Sequence, residues 1–152
     1  MEAAFVLPFL IIIMMGIWEV GRMLQVNEII TNAAREGARV AAGGVSNNIP
    51  VTVAMVQTQV KDYMTAAGLP TAAVNGATIT LTNLSSNTWT DPSDALPLDA
   101  FRVTVSIPAG TAYNSLRWNL FTALTGKTSL TLSANWLSAN DSKVSVSSTL
   151  PY

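Results

Sequence analysis

Sixteen consecutive residues near the N-terminus, AAFVLPFLIIIMMGIW at 3–18, carry no charge; Glu2 stands just before them and Glu19 just after. A chain of 152 residues has no place for such a run on a water-facing surface. It must lie in a membrane, in a protein interior or against copies of itself. A membrane-spanning helix needs roughly 20 apolar residues. The run is slightly short, but Glu2 and Arg22 can reach toward the two interfaces. Pro8 and Gly16 are tolerated in such helices where neighbours repair the backbone, and Pro8 is the point at which a kink or local melting is expected.

Beyond Trp18 the pattern turns amphipathic without a break. Val20, Met23, Leu24, Asn27, Ile30, Thr31, Ala34, Ala38 and Ala41 recur at steps of three and four. Glu19, Arg22, Glu28, Arg35, Glu36 and Arg39 occupy the other side, and Gly43-Gly44 ends the helix. One helix over residues 2–42 would be ~60 Å long at 1.5 Å per residue. A small head does not need that length, so half of it must protrude. Glu19–Arg22 and Glu36–Arg39 fall at i,i+3 spacing, and Glu28 precedes Asn32 by one turn. These are either surface pairs, each worth a few tenths of a kcal/mol, or bridges between packed subunits. Glu2 carries a similar choice. It is an interfacial acid favoured by the helix dipole, or it pairs with the free α-amino group of a neighbouring chain.

Composition separates this helix from the rest. Hydrophobic residues make up 49% of the chain and charged residues 11%, against about 25% charged in an average soluble protein. The head is rich in Thr, Ser and Asn instead, as is common on exported proteins. A net charge of −1 argues against a nucleic-acid partner, which needs a basic face. The chain has no cysteine and no histidine, which excludes disulfides, thiol catalysis, zinc–thiolate sites and imidazole acid–base chemistry. It contains no G-x-S-x-G, no P-loop and no metal triad, so no catalytic, cofactor-binding or metal site is expected and the chain does not read as an enzyme.

In the head, residues 43–50 (GGVSNNIP) read as a turn, with Asn48 a candidate helix cap and Pro50 suited to a first helical turn. A helical stripe follows at Met55, Val56, Val60, Tyr63, Met64 and Ala67, stopped by Gly68 and Pro70. Three stretches then alternate with period two. They are Ala77-Ile79-Leu81, Phe101-Val103-Val105-Ile107 and Leu130-Leu132-Ala134-Trp136, with Thr, Ser, Arg or Asn between. The loop 83–99 is expected to be solvated. Its acids Asp91, Asp94 and Asp99 do not have calcium-loop spacing. Tyr113, Leu116, Leu120, Phe121 and Leu124 suggest another short helix closed by Gly126, with Trp118 off its stripe. Residues 143–147 suggest an edge strand. Asn83-Leu84-Ser85 and Asn140-Asp141-Ser142 match the glycosylation acceptor pattern, as chance allows in a Ser/Asn-rich chain.

Three stretches also carry a resemblance. Glu2-Ala3-Ala4-Phe5-Val6-Leu7-Pro8, then Gly16-Ile17-Trp18-Glu19-Val20-Gly21-Arg22, then Thr31-Asn32-Ala33-Ala34-Arg35-Glu36-Gly37-Ala38-Arg39 resemble, in order and spacing, the signature of the TadE-like family of the tight-adherence pilus system. The resemblance is close over residues 2–42 and loose over the head. It implies a subunit processed by a prepilin peptidase, held in the inner (cytoplasmic) membrane by its apolar helix, and drawn by the pilus assembly machinery into an extracellular filament of such helices. Glu2 would hold the position of the family's acid near the processed end, although type IV pilins carry that acid at the fifth mature position.

The expected fold is therefore α+β and pilin-like. A long N-terminal helix (1–43, apolar at 3–18 and amphipathic at 19–42) leads into a head (44–152) with a second helix on an antiparallel sheet of three to four strands. The expected function is a structural pilus subunit serving surface attachment, whose partners are copies of itself, with the lipid bilayer as host before assembly. Glu2, Pro8, Gly16, Glu19, Arg22, Glu28, Arg35, Glu36 and Arg39 are the candidate inter-subunit residues. Two other readings stand beside it: a minor pseudopilin for assembly or tip, and a single-pass membrane-anchored binding module. The uninterrupted helix at 18–42, with no linker, favours the first two.

Overall fold

A computed structural model describes residues 3–46, 48–108, 126 and 128–141. The expected long helix is there. Helix α1 runs without interruption over Ala3–Ala42, straight through Pro8. It ends where the chain turns at Gly44, with φ of 64°. A two-residue hairpin follows, β1 (Val45–Ser46) with β2 (Ile49–Pro50). Then come α2 (Val53–Ala66), a short α3 (Thr71–Asn75) and β3 (Thr78–Asn83). A loop holding a single 3-10 turn at Pro92–Asp94 leads into β4 (Ala100–Pro108), and β5 (Ser129–Leu137) closes the described order.

The sheet has the order β3-β4-β5, antiparallel throughout. Register sets its two faces. Ile79 lies opposite Val105, and Val105 opposite Leu132. The row Phe101, Val103, Val105 and Ile107 is fully buried, with Ile79 beside it. The other face carries the Thr, Ser and Arg residues between them, tied across strands by Arg102 Nε donating to Asn135 Oδ1 at 2.8 Å and by Ser106 with Thr131 at 2.9 Å. Half-buried Leu130, Leu132 and Ala134 continue the inner row on β5. Trp136 shares their register but is 42% exposed. Two helices cover the apolar face. The C-terminal half of α1 lies over β4 and β5, and α2 lies beside it over β3. The α1 residues that enter this core are Val26, Ile30, Ala33, Ala34, Ala38, Ala41 and Ala42. Small side chains let the helix approach closely, and the closest approach is at Gly37, against Val56 and Val60 of α2 and Val103 of β4.

The structure corrects several local expectations. Asn48 does not cap α2; it has φ of 65° in the hairpin turn, and Pro50 belongs to β2. The cap is Thr52, extended in backbone, whose Oγ1 accepts from Met55 N at 3.3 Å. A second cap comes from far along the chain: Asp91 Oδ1 accepts from Val53 N at 2.9 Å. An acidic side chain at the positive end of a helix dipole is favourable as well as hydrogen-bonded. Thr52→Ala should therefore cost about 1 kcal/mol, read as a lowered denaturation midpoint of the full-length chain in detergent. On α2 only Val56, Val60 and Met64 are buried, whereas Met55 and Ala67 face outward. The helix α3 was not foreseen; it opens after Pro70 and sends Ala73 and Val74 into the core.

The loop between β3 and β4 is less solvated than its composition suggests. Asp99 is 6% exposed and accepts from Asn87 Nδ2 at 3.0 Å and Leu96 N at 2.9 Å. Trp89 stacks edge-on against Phe101 at 6.2 Å. Asp91 thus holds a backbone N–H and Asp99 a backbone N–H and the Asn87 amide, and among the described residues no acidic cluster could hold a metal ion. Asn140 departs furthest from the acceptor reading. It is fully buried, and its Nδ2 donates to Ser93 O at 3.0 Å and Ala95 O at 3.1 Å, which leaves no room for a glycan. The expected helix at 113–124 and the edge strand at 143–147 lie outside the described residues.

Candidate assembly surface

The two halves of α1 meet different surroundings. From Val26 onward, one side is in the core of the head. From Val6 to Trp18 the large apolar side chains are bare: Leu7 is 61% exposed, Phe9 66%, Met14 69% and Trp18 64%. Ile11, Met14, Met15 and Trp18 line a shallow apolar groove. Val6–Ala42 is long and apolar enough to cross a membrane, and its most apolar window has no contact that buries it. Exposed apolar surface of this extent is an unfilled interface, since each fully buried Leu or Ile is worth about 1.5–3 kcal/mol relative to leaving it in water.

The residues singled out from the sequence meet different surroundings. Pro8 and Gly16 belong to the bare half; a Cβ added at Gly16, or at Gly21, would meet nothing within 4 Å. Space at these glycines is therefore open to a neighbour rather than used within the chain. Glu36 and Arg39 form the expected pair, in a two-pronged geometry of 2.9 and 2.7 Å. The hydrogen bond from Arg39 holds the Glu36 carboxyl below its ordinary value. With the Arg39 side chain 67% exposed, solvent screens the pair and it contributes little to stability. Arg22 donates to Gln25 Oε1 at 3.3 Å. Glu28 and Arg35 are exposed, and among the described residues neither has a hydrogen-bond or ion-pair partner. Glu2 lies outside the described residues.

Sequence reasoning missed the residues that fasten the helix to the head. Gly37 lies within the TadE-like stretch 31–39, but nothing local marks it as the crossing point with α2. The end of α1 is held by a strand distant in sequence, as Ala139 N donates to Ala42 O at 2.8 Å. Asn27, counted in the apolar stripe, has a buried Oδ1 without a partner, while its backbone carbonyl accepts from Thr31 Oγ1 at 2.8 Å.

A bare apolar half-helix continuous with a half-helix built into a two-layer α+β head is the pilin-like arrangement. In agreement with it, residues 1–39 match the model of a family described as TadE-like protein, so this chain carries a TadE-like N-terminal segment. The match ends within three residues of the end of α1 and leaves the head outside it. No curated protein and no solved structure matches the chain.

Proposed function

We propose that this chain is a structural, non-catalytic subunit of a tight-adherence-type pilus. In this reading the apolar half of α1 rests in the inner membrane until the assembly machinery transfers it to the filament core. The heads then form the outer sheath, exposed outside the cell for surface attachment. A prepilin peptidase would process the N-terminal end, and Glu2 would meet the amine of a neighbouring copy. The observation that carries the reading is the continuity of α1. A flexible join would let a head move freely over a membrane anchor. Here the bare segment and the head share one rigid helix, so packing the bare segments together fixes where every head goes. Lipid is already apolar, so close helix contact and the pairing of polar groups must supply the gain on assembly.

The test is electron microscopy of material sheared from intact cells, with mass spectrometry of its main protein. Uniform filaments composed of this chain are expected. Filaments built of another protein, with this chain in traces, would favour the minor pseudopilin. A chain that stays in the membrane beside no filament at all would favour the anchored binding module.

A further inference from the structure

The side of α1 turned away from the head carries a second periodicity. Leu10, Met14, Ile17, Gly21 and Leu24 follow one another at alternating steps of four and three, and Glu28 and Arg35 continue the same series on either side of the half-buried Thr31. Steps of four and three mark the seam of a coiled coil, with a mean repeat of 3.5 residues. All seven are exposed; Leu10, Met14, Ile17 and Leu24 are 51–69% so. The two polar members are of opposite sign, have no partner among the described residues, and are one heptad apart.

We infer that this seam is the contact between parallel copies of the chain, and that Glu28 and Arg35 set their stagger at one heptad, about 10.5 Å along the helix axis. The inference rests on the subunit reading above and adds its register. In register, parallel copies would set Glu28 against Glu28 and Arg35 against Arg35, and both contacts are repulsive. Antiparallel copies could satisfy both charges, but they would leave the row from Leu10 to Leu24 with nothing opposite it. A parallel shift of seven residues satisfies both demands. It brings Glu28 of each copy to Arg35 of the next, Met14 opposite Gly21, and Ile17 opposite Leu24. Gly21, where an added Cβ would meet nothing within the chain, then has a methionine set against it. Because Glu28 faces one neighbour while Arg35 faces another, the contact is head-to-tail and does not close on itself. Such contacts build open helical polymers rather than dimers. The seam lies opposite the head-bearing side of α1, so the heads stay outside the bundle. Glu36 and Arg39, already paired within the chain, are left as bystanders.

The chain contains no cysteine, so engineered thiols report contacts without background. In sheared filaments of the full chain, M14C/G21C should give a ladder of oxidised multimers, while M14C alone and G21C alone should stay monomeric. Dimers from either single variant would reveal in-register contact and overturn the stagger, as would filaments of the double variant that form no ladder. Charge supplies an independent measure. E28R and R35E should each lower filament yield at least tenfold at equal amounts of chain in the membrane fraction, and E28R/R35E together should restore it to within about threefold. Normal yields from the single variants, or a double variant as poor as either, would also overturn it. Wild-type filaments that lack this chain would remove the subunit reading itself, so the wild-type control separates the two failures.

Discussion

Gly37→Leu should detach the head from α1 and cost about 3 kcal/mol or more of stability. The backbone at Gly37 comes against three valines, and a Cβ placed there would overlap Val60 Cγ2. It would also stand 3.5 Å from Val56 Cγ1 and 3.6 Å from Val103 Cγ1. Val60 and Val103 are fully buried and Val56 nearly so. Being β-branched, they have little rotamer freedom with which to retreat. Alanine is the milder case. It gains about 1 kcal/mol of helix propensity over glycine and loses about 1–3 kcal/mol to overpacking. Gly37→Ala should therefore be modestly destabilising, and V60A added to it should return part of the loss, as coupled neighbours do. Gly16→Ala and Gly21→Ala are the controls. Nothing stands within 4 Å of a Cβ at either, so both should be neutral or slightly stabilising. Denaturant unfolding of the full-length chain in detergent, followed by tryptophan fluorescence, reads all of these. An unchanged midpoint for Gly37→Leu would mean that α1 does not lie on α2 and β4 at that point.

The contrast between the three glycines also marks what sequence can and cannot convey. Periodicity gives the face of a helix that turns inward, and here it gave the extent of α1 as well, because an uncharged run, an amphipathic run and Gly43-Gly44 follow without a break. The strands were equally plain, since Thr and Val alternate on a sheet with one wet face. Periodicity does not say what stands opposite. Nothing within a turn of Gly37 distinguishes it from Gly21, although one is a crossing point and the other is open. Long-range caps are hidden for the same reason. Asp91 accepts from Val53 N across 38 residues, and a single Asp in a polar loop has no local pattern that marks it. The start of α2 was misread because Asn48 and Thr52 are both good caps, and the intervening hairpin claims the first. On α1 the converse holds. The charges were visible as candidates, but only the structure separated Glu36 and Arg39, which satisfy each other, from Glu28 and Arg35, which do not.

Asn140 carries the second large effect, because one side chain joins three distant parts of the head. Its amide nitrogen donates to two carbonyls of the β3–β4 loop, Ser93 O and Ala95 O, from a fully buried position. Its side chain packs on Gly44, whose φ of 64° and missing Cβ leave the room it occupies. The preceding residue, Ala139, supplies the N–H that closes the last turn of α1 at Ala42 O. Asn140→Ala leaves two carbonyls facing a cavity, and an unsatisfied buried polar group costs about 1–3 kcal/mol. A loss of about 2–4 kcal/mol is expected once partial relaxation is allowed for. Asn140→Asp is the sharper probe, because size and shape are kept while a double donor becomes an acceptor. An ionised carboxylate facing two carbonyl oxygens is repelled, so its folded-state pKa must rise above the ordinary Asp value. The sign then follows. The penalty is fully present above that raised pKa and shrinks as pH falls toward the ordinary value, where the protonated acid regains one donor. The difference in unfolding midpoint between wild type and Asn140→Asp should therefore narrow from pH 7 to pH 4. A gap that stayed constant with pH would show that the side chain does not meet those carbonyls. A glycan found on Asn140 in the native chain would show the same, because a modified amide cannot enter that site.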